Sequence, residues 1–256
     1  MELYFNKLGS KGPALIIMHG VFGSADNWIT LGRRFAENFT VYLVDLRNHG
    51  KSPHHHEHNY EVMAEDVNQL IKKLNVSEAY LIGHSMGGKV AMKMAVENDN
   101  LIKKMVIVDI GPKHYPPHHQ QVLEGFRSVN LAKVDKRQDA EKMMSEKISH
   151  PAIRLFLLKN LQRNDDGSFS WKLNLDVIEE QIEEIGKGLE ENEKSLLPVL
   201  FIRGANSDYI SKEDEGLISN HFPNAKLTSI KAGHWVHAEQ PDALFEEVLN
   251  FFDDAG

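Results

Sequence analysis

No cysteine occurs in the 256 residues, which excludes disulfide bridges, thiolate catalysis and cysteine-ligated metals. No apolar run approaches the roughly 18 residues that a membrane span requires. The opening residues Met1-Glu2-Leu3-Tyr4-Phe5-Asn6-Lys7 have neither the basic region nor the apolar stretch of a leader, so the expectation is a cytoplasmic protein with no membrane partner. Positive charge is also scarce: 29 Lys and Arg stand against 37 Asp and Glu, a formal charge of −8. Such a field argues against nucleic acid as a partner. With 41% hydrophobic residues, the chain can build one large α/β domain, or a core domain with an inserted lid.

Short, nearly continuous apolar runs recur at Ala14 to Met18, Val41 to Val44, Ala79 to Ile82, Met105 to Val108, Val199 to Ile202 and, more weakly, Lys226 to Ile230. Runs without alternation fit strands covered on both faces, as in a parallel sheet. Helical patterns separate them at Trp28 to Glu37, Val62 to Leu74, Gly88 to Val96, Glu213 to His221 and Asp242 to Phe252. A wound, mostly parallel α/β sheet is predicted, with functional loops at the strand C-terminal ends. The alternation stops after Asp109. Residues 112–195 carry only helical patterns, including one over Ile153 to Leu161, and read as an inserted helical cap. The core is then 1–111 and 196–256.

Gly83-His84-Ser85-Met86-Gly87 lies between a strand-like run and a helical one. The bare Gly-x-Ser-x-Gly pattern arises by chance in about one chain in ten of this length, so the strand before it and the helix after it carry the argument. In that setting it is a nucleophile elbow: glycines at i−2 and i+2 remove Cβ atoms that would meet the crossing strand and helix, and Ser85 Oγ faces a substrate. A serine hydroxyl needs a base, and a histidine oriented by a carboxylate supplies one. Hydrolases with this elbow run in the order Ser, acid, His. His234 fits the last role, with His237 a weaker rival. Asp109 ends a strand and is the preferred acid. Asp208 is the alternative; it sits one residue beyond the usual spacing from Gly204, which Ser207 occupies. His19-Gly20-Val21-Phe22-Gly23 follows the first buried run, so the oxyanion donors are expected to be the backbone N–H groups of Val21 and Met86. His19 and His84 read as braces. Phe22, Phe156, Trp171 and Trp235 are the expected wall of an acyl pocket.

Other motifs read as structure. Gly50-Lys51-Ser52 ends like a phosphate-binding loop, but Asp45 stands where its first glycine belongs. Asp45 to Gly50 is expected to be a turn pinned by side-chain hydrogen bonds. His54, His55, His56 and His58 lack the spacing of a closed metal site and read as a solvated loop, so no metal and no cofactor is expected.

The strings His19 to Ser24, Asp45 to Pro53, Gly83 to Gly88, Val108-Asp109-Ile110-Gly111-Pro112 and Ala232 to Glu239 resemble the YbfF-type bacterial esterases of the α/β-hydrolase superfamily and their mitochondrial relatives. The resemblance spans nearly the whole chain and is weakest in the cap. It implies an α/β-hydrolase fold with the cap inserted after the sixth strand, Asp109 as the acid, and a cofactor-free serine esterase. The implied substrates are small short- to medium-chain acyl esters, with acyl-CoA thioesters as a further class. A carbon–carbon bond hydrolase or cofactor-free haloperoxidase uses the same triad, and a signalling receptor on a hydrolase fold is the alternative of another kind. Epoxide hydrolases and haloalkane dehalogenases need an aspartate at position 85.

Overall fold

The structure is a computed structural model that describes residues 1–254; the last two positions of the expected core segment 196–256 lie outside the described residues. Along the chain, β1 (Phe5–Leu8) and β2 (Ala14–Met18) lead through α1 (Ile29–Phe35) to β3 (Thr40–Val44). Then come α2 (Tyr60–Lys73), β4 (Ala79–His84), α3 (Met86–Glu97) and β5 (Ile102–Val108). Between β5 and the next core strand lie α4 (Gln120–Arg127), α5 (Arg137–Met144), α6 (Pro151–Leu157), a hairpin of β6 (Leu161–Arg163) and β7 (Phe169–Trp171), α7 (Leu175–Glu180) and α8 (Ile182–Gly186). The chain closes with β8 (Val199–Gly204), α9 (Asp214–His221), β9 (Ala225–Ile230), α10 (Val236–Glu239) and α11 (Pro241–Asp253).

One sheet runs β1-β3-β2-β4-β5-β8-β9. Only β1 is antiparallel to its neighbour. All five residues of β2 are buried, and the period-2 pleat divides them between two cores. Ala14, Ile16 and Met18 join Met63, Val67 and Val90 beneath α2 and α3, whereas Leu15 and Ile17 join Trp28, Phe35 and Val248 beneath α1 and α11. This two-sided burial is why the central strands read as unbroken apolar runs.

Three features depart from the sequence expectation. β1 went unforeseen because a half-exposed edge strand of four residues, Phe-Asn-Lys-Leu, has too little apolar signal to register. The helix expected over Ile153 to Leu161 is α-helical to Leu157 and tightens to a 3₁₀ turn over Leu158–Asn160, where Asn160 Nδ2 turns back to the carbonyls of Leu157 at 3.1 Å and Phe22 at 2.8 Å. A short strand follows, and its hairpin turns through Gly167 at φ +87°. The segment after Asp109 leaves the sheet after the fifth strand of the chain, not the sixth.

Both ends of the segment between β5 and β8 are tied to the core. Lys89 Nζ, on α3, donates to the carbonyls of Lys113 and Lys187, each at 2.5 Å. The Tyr60 hydroxyl donates to the Ile185 carbonyl at 2.6 Å. The loop after β3 is pinned as expected: the Asp45 carboxylate accepts the N–H groups of Ala25 at 2.7 Å and Lys51 at 2.9 Å. Beside it, the buried Arg47 guanidinium meets Asp66 at 2.6 Å.

Imidazoles fill much of the space beneath these loops. Burial pushes six of them below the ordinary histidine range, keeping them neutral: His19, His49, His58 (to about 4), His84, His119 (to about 4) and His237 (to about 3). Below about pH 6.5 the unfolded chain protonates these rings while the folded chain does not, so stability falls as pH drops from there toward the folded values. Each ring lowers stability by up to about 1.4 kcal/mol per pH unit between its unfolded and its folded titration range, and the six act in the same direction on a stability of only about 5–15 kcal/mol. An acid titration followed by circular dichroism should show cooperative unfolding between about pH 4 and 6. A fold that persists well below pH 4 would contradict the neutral burial of these rings.

Candidate active site

The sharp turn from β4 into α3 places Ser85 at φ +52°, ψ −119°, a conformation costing about 1–3 kcal/mol for a residue with a Cβ. Surrounding bonds hold it there. Ser85 N–H donates to the Val108 carbonyl at 3.1 Å, and the Ser85 carbonyl accepts from Gly88 at 2.8 Å and Lys89 at 3.1 Å. The flanking glycines are steric necessities: a Cβ on Gly83 would lie 2.3 Å from the Gly87 carbonyl oxygen, and one on Gly87 would lie 2.5 Å from that of Met18. The Ser85 hydroxyl makes no hydrogen bond among the described residues and lies on the wall of a cavity of about 210 Å³.

His234, in the loop after β9, lines the same cavity. Its Nδ1 is 2.8 Å from Asp109 Oδ2; a carboxylate can only accept, so Nδ1 carries the proton in that bond, and Nε2 makes no hydrogen bond among the described residues. Asp109, at the end of β5 and at φ +51°, has no solvent exposure. Its Oδ1 accepts the Gly204 N–H at 2.8 Å and its Oδ2 the Ser207 hydroxyl at 2.5 Å. Ser207 thus stands at the usual acid position and donates to the Asp109 carboxylate at the end of the neighbouring strand. Asp208 is exposed and makes no bond to His234, so the structure does not bring the alternative acid to the site. His237 is no rival either: it is buried, stacks on Trp28 with centroids 4.6 Å apart, and does not reach Asp109.

The loop after β2 is held by His19, whose Nδ1 donates to the Gly20 carbonyl at 2.8 Å while its Nε2 accepts the Leu46 N–H at 3.1 Å. Gly23 N–H closes the turn onto the Gly20 carbonyl at 3.0 Å. The N–H groups of Val21 and Met86 take no part in these bonds; Met86 opens α3, where a helix leaves its amides unpaired and its dipole positive. His84 braces the elbow, its Nε2 donating to the His234 carbonyl at 2.9 Å.

Of the expected pocket residues, Phe22, Phe156 and Trp235 line the cavity. Trp171 does not. Its ring stands edge-on to Phe126 at 4.9 Å, and Phe126 backs Phe22 at 5.6 Å, so Trp171 lies a layer behind the wall. Sequence reasoning missed Tyr209, whose ring stacks on His234 at 3.9 Å, and His118 and His119, which also line the cavity. Tyr209 follows the alternative acid directly, yet no periodicity marks it. The His118-His119 pair after Pro116-Pro117 was a usable signal, since the chain turns there into the segment facing the elbow.

Comparison with known proteins agrees with this geometry. The family model described as the alpha/beta hydrolase fold matches residues 13–241. Esterase YbfF of Escherichia coli (strain K12) is 34% identical over 242 residues, covering 94% of this chain and 93% of that protein. The sn-1-specific diacylglycerol lipase ABHD11 of Xenopus tropicalis is 38% identical over 259 residues, covering 96% of this chain and 80% of its own length. Among solved structures, a marine microorganism esterase superposes with a TM-score of 0.95 at 41% identity, covering 98% of this chain and 99% of the other. The likeness runs through nearly the whole length, and the chain belongs to the α/β-hydrolase fold family, among ester hydrolases.

Proposed function

We propose that this carboxylic ester hydrolase works through an acyl intermediate on Ser85. The observation that carries this reading is one cavity wall shared by a serine on a positive-φ elbow and an imidazole whose Nδ1 lies 2.8 Å from a fully buried carboxylate. Ser85 Oγ attacks the substrate carbonyl carbon as His234 Nε2 takes its proton. The carbonyl oxygen becomes an oxyanion facing the N–H groups of Val21 and Met86, each worth about 3–4 kcal/mol in the transition state. Collapse expels the alcohol, which receives the proton from His234. Water then attacks the acyl-Ser85 carbonyl by the same steps, releasing the acid. Asp109 holds the imidazole tautomer and stabilises its cation. No step requires a metal or a cofactor, and thioesters follow the same course.

Residues 112–195 act in this scheme as a cap over the elbow. Val122, Ile153 and Phe156 from that segment line the same cavity as Ser85, and its modest volume favours short to medium acyl chains. Selectivity then resides in the cap and chemistry in the core.

A fluorophosphonate probe should label the protein once, and Ser85→Ala should abolish the label; labelling elsewhere would refute the nucleophile. Asp109→Asn should lower kcat about 10⁴-fold with the fold intact, whereas Asp208→Asn should remain close to the unmodified protein; steady-state kinetics on p-nitrophenyl butyrate checks both. Phe156→Ala should shift the butyrate-to-octanoate ratio of kcat/KM, by about 1–3 kcal/mol per methylene newly accommodated. An unchanged ratio in a folded variant would place the acyl chain away from the cap.

A further inference from the structure

The stretch His54-His55-His56-Glu57-His58 plays no part in this chemistry, and the fold gives it a scaffold that its sequence does not reveal. His58 is buried rather than solvated, its Nδ1 3.3 Å from Asn48 Nδ2. Asn48 Oδ1 also accepts the His55 N–H at 2.7 Å, and Arg47 Nη1 donates to the Glu57 carbonyl at 3.1 Å. Arg47 is itself fixed by Asp66. The backbone on both sides of His56 is therefore anchored to buried side chains, while His56 and Glu57 are exposed and His55 is partly so. The His55 and His56 rings stack with centroids 4.2 Å apart, and Glu57 Oε2 is 3.5 Å from His55 Nδ1. One ligating atom from each of the three lies within 4.8 Å of the other two.

We propose that His55, His56 and Glu57 bind a divalent transition ion of borderline softness, with zinc the best match. Two imidazoles and a carboxylate are a zinc donor set, and metal–ligand bonds of about 2.0–2.2 Å place neighbouring ligands of a tetrahedral site roughly 3.3–3.5 Å apart. The observed spread is within the reach of side-chain rotation, His56 and Glu57 being exposed and His55 partly so. Water fills the remaining position. Hard ions such as magnesium and calcium prefer all-oxygen sites and are excluded by the imidazoles. The same loop bonds the Asn174 backbone and side chain through Asn48, at 2.9 and 3.1 Å, and His49 Nε2 accepts the Phe22 N–H at 3.3 Å. A bound ion would stiffen a loop joined both to the segment after β5 and to the loop after β2.

Isothermal titration of the full chain with zinc chloride, and separately with magnesium chloride, tests the site. One zinc per chain is expected and no magnesium. His56→Ala and Glu57→Gln should each weaken zinc binding by at least the 10–100-fold that loss of even an outer partner costs a metal site, about 1.4–2.7 kcal/mol, whereas His150→Ala should leave it unchanged. All three positions are exposed, so circular dichroism and ester hydrolysis in chelator should match the unmodified protein. Absence of zinc binding, or binding that survives both His56→Ala and Glu57→Gln, would overturn the proposal.

Discussion

A carboxylate without solvent contact sits where three strand ends meet, and the candidate site depends on what surrounds it. Burying Asp109 is tolerable only because donors compensate for its lost hydration: the Gly204 amide and Ser207 hydroxyl come from the β8 end, and the imidazole comes from the loop after β9. One carboxylate therefore gathers groups from the C-terminal ends of β5 and β8 and from the loop after β9, and fixes the orientation of His234. The positive φ of Asp109 and that of Ser85 are the local strains accepted to bring the two into one site.

Those residues also explain what could be read in advance. The buried strands announce themselves because covering on both faces demands an apolar residue at every position, as in Ala14–Met18. The elbow is legible because its glycines answer to clashes that only glycine avoids. The preference for Asp109 over Asp208 follows from its place at a strand end, from the resemblance and from a one-residue displacement to which Ser207 gives meaning: a hydroxyl fills the common acid position and donates to the Asp109 carboxylate on the adjacent strand.

What stayed illegible is tertiary in origin. The segment between β5 and β8 has amphipathic patterns, but nothing local distinguishes a residue facing the cavity from one a layer behind it, which is why Phe156 and Trp171 looked alike. Edge strand β1 is short, partly exposed and held by a partner distant in sequence, and the strands of the local β6–β7 hairpin are only three residues each, too short for an alternation to register. The histidines posed the same problem. His49 and His58 become neutral core residues, while His56 two positions earlier is exposed, a contrast set by the pinning of the loop rather than by composition.

Lys89 follows Ser85 by one turn of the same helix, and its ammonium holds a carbonyl at each end of the segment between β5 and β8. Anyone exchanging that segment for another to redesign selectivity inherits a boundary condition absent from the transplanted sequence. Two carbonyls must converge on one amine, or a buried donor is left without acceptors one helical turn from Ser85. The useful splice points therefore lie inside Lys113 and Lys187, with both residues and their backbone geometry kept from the host.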